Sequence, residues 1–147
     1  MELKNGIPVK IHLETKVRQD GETSAFVFNE PGQMVTVNGT IYLRYKEILE
    51  AEGQTLKTSV TMKIEPDGRL QIIRNGQVRM KLRFEYEKLV ATSYRTPYGI
   101  FPITTYAKEL HVSLKDTPLS GQVTLDYNLF AGEELLGEYE LRLNFIS

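Results

Sequence analysis

Apolar and polar residues alternate with period two along most of the chain. In residues 7–18 the odd positions are Ile7, Val9, Ile11, Leu13, Thr15 and Val17, and between them fall Lys10, His12, Glu14, Lys16 and Arg18. An extended chain sends these two sets to opposite faces, so each such run predicts a strand with one buried and one wet side. The same phase recurs in TLKTSVTMKI (Thr55 to Ile64), VRMKLRFEY (Val78 to Tyr86), QVTLDYNL (Gln122 to Leu129) and YELRLNF (Tyr139 to Phe145). Turn signals separate the runs: QDGE, EPGQ, VNGT, EPDG, RNGQ, TPYG, TPLSG and AGEE. Asn38-Gly39 and Asn75-Gly76 suit a type I′ hairpin turn, which needs positive φ at both central residues. Only YKEILEAEG resembles a helix; its apolar positions are too few for a stripe and Gly53 stops it, so it reads as a strand end and a loop.

About ten strands joined by short turns describe an antiparallel meander. A sheet of that length closes on itself or leaves exposed edges, so the expected fold is all-β, a closed antiparallel up-and-down barrel. A two-sheet sandwich is the alternative, but it needs longer crossing connections. At 147 residues the chain is expected to form a single domain, 1–147. Eighteen Lys and Arg against nineteen Asp and Glu leave a net charge of -1, so charge effects must be local. There is no cysteine, which removes disulfides and thiolate chemistry and suits a reducing cytoplasm. The opening MELKNGIPVK has no apolar stretch of signal-peptide length, and no run approaches a membrane span, so a soluble, cytoplasmic protein is expected.

IYLRYKE (Ile41 to Glu47), IIRNG (Ile72 to Gly76), YRTPYG (Tyr94 to Gly99) and GQVTLDYNL (Gly121 to Leu129), in that order and spacing, resemble the YwiB-like family of uncharacterised bacterial proteins. The resemblance covers nearly the whole chain. It implies a calycin-like barrel, related in shape to lipocalins and fatty-acid-binding proteins, with no assigned biochemical role. The lipocalin Gly-x-Trp signature has no counterpart, because the chain contains no tryptophan.

Parity singles out one cluster. The face of IYLRYKE that holds Ile41 and Leu43 also holds Tyr45 and Glu47; the face of RLQIIR that holds Leu70 and Ile72 also holds Arg74. These strands run the same way with one antiparallel strand between them, so their polar ends share a rim. TPYG fits a type I turn with Pro97 second and Gly99 fourth, and a bulge at Gly99 is the alternative. Either way Tyr94 and Thr96 share a face, which points inward if even positions do. The ligand-binding residues expected are therefore Tyr45, Glu47, Arg74, Tyr94, Thr96 and Tyr127, at one end of an otherwise apolar cavity. The guanidinium fork of Arg74 would meet the head group of a small amphipathic or acidic ligand there. Alternatively Glu47 and Arg74 satisfy each other and bulky inward side chains fill the barrel. That leaves an interaction module working through its outer surface.

Outside, Lys57, Lys63, Arg69, Arg79, Lys81 and Arg83 fall on adjoining strands and could dock an acidic protein or RNA. The competing reading is a solvated face that discourages strand pairing. No aromatic platform is interleaved on these strands, so nucleic acid is not expected. The two histidines, His12 and His111, alternate with buried neighbours and belong to the outer face. No Gly-rich phosphate loop, nucleophile elbow or HExxH occurs, and no enzyme, catalytic residue, metal or cofactor is expected. Strand edges allow a homodimer without requiring one.

Overall fold

The structure, a computed structural model, describes residues 6–76 and 78–147. Ten strands follow one another: β1 (Ile7–Gln19), β2 (Glu22–Val37), β3 (Thr40–Ala51), β4 (Gln54–Ile64), β5 (Leu70–Asn75), β6 (Arg79–Phe84), β7 (Leu89–Thr96), β8 (Gly99–Asp116), β9 (Leu119–Ala131) and β10 (Glu134–Ile146). Each pairs antiparallel with its chain neighbours, and β1 pairs with β10, closing a barrel. Most apolar side chains point in and most charged ones out, the reverse of a lipid-facing barrel, with Glu47 and Arg74 as inward exceptions. Inner-facing Leu13, Leu43, Met62, Leu70, Phe84, Leu125 and Leu143 are each no more than 3% exposed and form one core.

The up-and-down order puts the β1–β2, β3–β4, β5–β6, β7–β8 and β9–β10 turns at one mouth. Asp20-Gly21, Asn38-Gly39 and Glu52-Gly53 take positive φ at both residues, as tight hairpins between right-twisted strands require. Asn75-Gly76 does not. Neither residue has positive φ, Asn75 pairs with Arg79, and the connection runs through Gly76 to Val78, with Gln77 outside the described residues. TPYG is a turn as expected, with Thr96 opposite Gly99. EPGQ is not: residues 30–33 lie inside β2.

Gly32 stands there for another reason than turning. A Cβ at this position would come 2.5 Å from Ile11 Cδ1 and 2.7 Å from the Arg44 carbonyl oxygen, so β3 crosses β2 too closely for any side chain. Gly32→Ala is expected to cost about 2 kcal/mol through overpacking against backbone that cannot move aside. A chemical-denaturation midpoint unchanged from wild type would show that the crossing relaxes freely.

Two inward expectations fail at strand ends. Ile7 is 48% exposed at the first residue of β1, and Tyr86 is 51% exposed beyond the end of β6, where the chain forms an isolated bridge to Ala107. Parity requires a second sheet layer opposite, and neither end has one.

Closure is uneven. β2 and β3 pair over 32–37 and 40–45 only, while residues 22–31 of β2 pair with β1 alone. The wall therefore parts into a seam at the mouth that carries the β1–β2 and β3–β4 turns. Pro31 sits where β2 leaves β3, so its missing N–H falls where the second ladder has stopped.

Candidate functional site

Beside this seam stands the Glu47/Arg74 pair. Glu47 is inward on β3 and 5% exposed; Arg74 is inward on β5 with its side chain 36% exposed. Arg74 Nη1 donates to Glu47 Oε2 at 3.3 Å, and Nη2 donates to Oε1 in a second, shorter bond. This is the two-pronged geometry that makes guanidinium a good carboxylate partner. The Tyr45 hydroxyl donates to Glu47 Oε2 at 3.2 Å. Burial lowers the Arg74 pKa, but the Glu47 charge and hydrogen bonds outweigh it, and the net shift is upward. Burial and the Glu47 charge push the Tyr45 phenol up, so the group stays a neutral donor.

Tyr127 on β9 faces the pair from across the barrel. Its ring stacks on Tyr139 at 4.7 Å and 4°, and tilts against Phe84 at 4.6 Å. Burial first, and the neighbouring Tyr139 second, push its phenol upward. Tyr139 accepts a hydrogen bond from Gln19 Nε2 at 3.2 Å.

The pair does not fill the space. A cavity of about 370 Å³ remains, with Glu47, Arg74, Tyr127, Tyr139, Thr15 and Thr58 as its polar part. Its apolar wall includes Val17, Phe26, Phe28, Leu49, Leu56 and Met80. Phe26 and Leu49, inner-facing yet 39% and 44% exposed, stand on opposite banks of the seam. A larger hollow of about 850 Å³ lies on the outer wall, bordered by outward residues of β1, β9 and β10 such as His12, Gln122 and Asn144. Both histidines are on that outer wall, His12 hydrogen-bonded to Asn29 at 2.5 Å and His111 beside Glu109 at 3.1 Å.

Of the six residues expected at the site, Tyr45, Glu47, Arg74 and Tyr127 come together. Tyr45 does so by holding Glu47, without lining the cavity. Tyr94 and Thr96 do not join them: Tyr94 stands opposite Met80 in the short β6–β7 ladder and packs on the edge of the core without bordering the cavity, and Thr96 lies beyond the end of that ladder. Tyr94 packs against Phe101 at 6.2 Å, and the Thr96 hydroxyl closes its own turn, accepting from Tyr98 N at 3.0 Å. The interior is also neither of the two expected states: Glu47 and Arg74 are paired, and space is left beside them. Phe26 and Phe28 were legible as wall residues, since they keep even spacing with Met34; treating EPGQ as a turn breaks that phase. Tyr139 has the parity of Leu141 and Leu143 and could have been found the same way.

A crystal structure of the YwiB protein from Bacillus subtilis superposes with a TM-score of 0.77, covering 95% of this chain and 91% of that one at 20% identity. In sequence, the uncharacterized beta-barrel protein YwiB of Bacillus subtilis (strain 168) is 23% identical over 132 residues, 90% of this chain and 88% of the relative. The likeness shows the fold. The family model for DUF1934, a domain of unknown function, matches residues 11–143. With nearly its whole length covered, the chain belongs to the DUF1934 family of β-barrel domains.

Proposed function

We propose that this barrel is a non-enzymatic binding protein that takes a small amphipathic molecule with an acidic head group into the cavity beside Arg74. The observation that carries this reading is the space left beside a pair that is already made. Glu47 occupies one edge of the guanidinium, which has five donors in all, so donors remain for an incoming acceptor. The Tyr127 phenol, kept protonated by its surroundings, is a second donor on the same cavity. Apolar walls with a few converging polar groups are the usual make-up of a small-molecule site. The seam supplies a way in, and Phe26 and Leu49, exposed on its banks, gain burial when a hydrocarbon tail lies between them.

Decanoate and decanol separate head-group recognition from greasy adsorption. In a titration followed by displacement of an environment-sensitive dye, decanoate is expected to bind saturably and at least tenfold more tightly than decanol. Phe26→Asp is expected to weaken decanoate by a similar factor. No saturable decanoate uptake, equal affinities for the two heads, or an unaltered Phe26→Asp variant would each overturn the proposal.

A further inference from the structure

The outward face of β3 to β7 concentrates positive charge. Arg44 and Lys46 on β3 and Lys57 and Lys63 on β4 lead into Arg79, Lys81 and Arg83 on β6. Arg95 on β7 completes eight of the chain's eighteen basic residues, although the net charge is -1. None of the eight takes part in an ion pair among the described residues. Arg69, read from the sequence as part of this patch, is different: Asp67 at 2.7 Å and Glu65 at 3.4 Å hold it.

The register makes the arrangement costly for the fold. Arg79 stands directly opposite Arg95 across the β6–β7 ladder, and Asn75 stands opposite Arg79 on the other side. Like charges facing each other in an antiparallel pair destabilise it. Guarding an edge does not account for this, because at Arg79 and Lys81 β6 has a ladder on both sides. A shallow groove of about 270 Å³ runs between these side chains, lined by Arg79, Lys81 and Arg95 with Asn75, Ser93 and Ile73, and no carboxylate borders it. At the tip of the adjoining hairpin Tyr98 is 93% exposed, three residues beyond Arg95. Tyr42 also lies on this face, but Arg44 and Lys63 sit 6.0 and 5.8 Å from its ring centre.

We infer that this face binds the phosphodiester backbone of single-stranded RNA, with Arg79, Lys81 and Arg95 holding phosphates and Tyr98 offering its ring to a base. Arginine forks bind phosphate bidentately, and a bridging phosphate turns the Arg79/Arg95 repulsion into shared attraction. Cations on one strand recur about every 6.8 Å and neighbouring strands lie about 4.8 Å apart, so the array can follow a flexible charged chain. Ser59, Thr61, Asn75 and Ser93 lie among the cations, and Ile73 and Ile100 are the apolar residues of the groove's outer side, so the surface is mainly polar and basic, as nucleic-acid interfaces are. The expectation against nucleic acid rested on the lack of an interleaved aromatic. Tyr98 meets that need from the hairpin tip rather than from the strands themselves.

Fluorescence anisotropy with a labelled uridine oligomer of about 20 nucleotides tests this. Binding is expected at low salt, weakening roughly twentyfold between about 50 and 200 mM salt if three phosphates are neutralised. Arg95→Glu replaces the repulsive pair by an attractive one. It is expected to lower RNA affinity at least tenfold while raising the melting temperature by about 1–3 °C. No binding by the wild-type protein at low salt would overturn the inference, as would undiminished binding by Arg95→Glu. Loss of binding together with a lowered melting temperature would assign Arg95 to the fold instead. Polyglutamate competing as well as unlabelled RNA would identify an acidic protein as the partner and overturn the RNA assignment.

Discussion

Arg74→Met is expected to lower stability by about 3 kcal/mol, a fall of roughly 10 °C in melting temperature for a chain of this size. Glu47, 5% exposed, would be left beside Tyr45 as its one donor. Removing one member of a buried pair leaves a charge whose desolvation nothing offsets. The usual range for this is about 3–5 kcal/mol, and the lower end applies because the Arg74 side chain is 36% exposed. The double variant Glu47→Leu/Arg74→Met removes both charges and is expected to recover most of the loss, since methionine and leucine suit the apolar wall already there. Thermal melts of the wild-type, single and double variants give the comparison. If Arg74→Met melts within about 2 °C of wild type, the pair is not a structural element, and Arg74 is available for ligand alone.

Raising the pH is expected to unfold the protein through two tyrosines. Burial holds the Tyr45 and Tyr127 phenols protonated in the folded state, whereas in the unfolded chain they ionise near pH 10. The folded state thus keeps protons that the unfolded state has lost. The stability concerned is fully present below about pH 10 and is lost as the pH rises beyond it. Each group contributes about 1.4 kcal/mol per pH unit, so two together remove nearly 3 kcal/mol per unit. Absorbance at the phenolate band followed alongside circular dichroism checks this. Of the eight tyrosines, these two are expected to ionise only in step with the loss of structure. Ionisation of all eight near pH 10 with native dichroism would contradict the burial described for them.

Most of the barrel was legible because period-two phase survives wherever a strand has the core on one side. It placed Tyr45, Glu47, Arg74 and Tyr127 on the inner wall without reference to anything beyond the next residue but one. Phase carries no information about where a neighbouring strand stops. Tyr94 keeps correct parity and stands opposite Met80, yet its ring goes to Phe101 and the core's edge, while Thr96 falls beyond the last β6–β7 rung, so neither borders the cavity. Local turn chemistry misled in the opposite sense at Glu30-Pro31-Gly32. Pro31 answers to the end of the β3 ladder and Gly32 to the close passage of β3, and both are facts about a strand far along the chain. The remaining space beside Glu47 and Arg74 depends on the same parting of β2 from β3, and no residue pattern within either strand encodes it.

That parting also gives a continuous barrel something that circular closure otherwise abolishes. Along residues 22–31 and 46–51 backbone amides and carbonyls have a ladder on one side only, a template onto which a stray strand could zip. Pro31, Lys46, Glu50 and Glu52 line these borders, and residues of this kind make such a template a poor one for aggregation. A gap in the wall of a β protein is tolerable only when its margins are made unattractive to another copy of themselves.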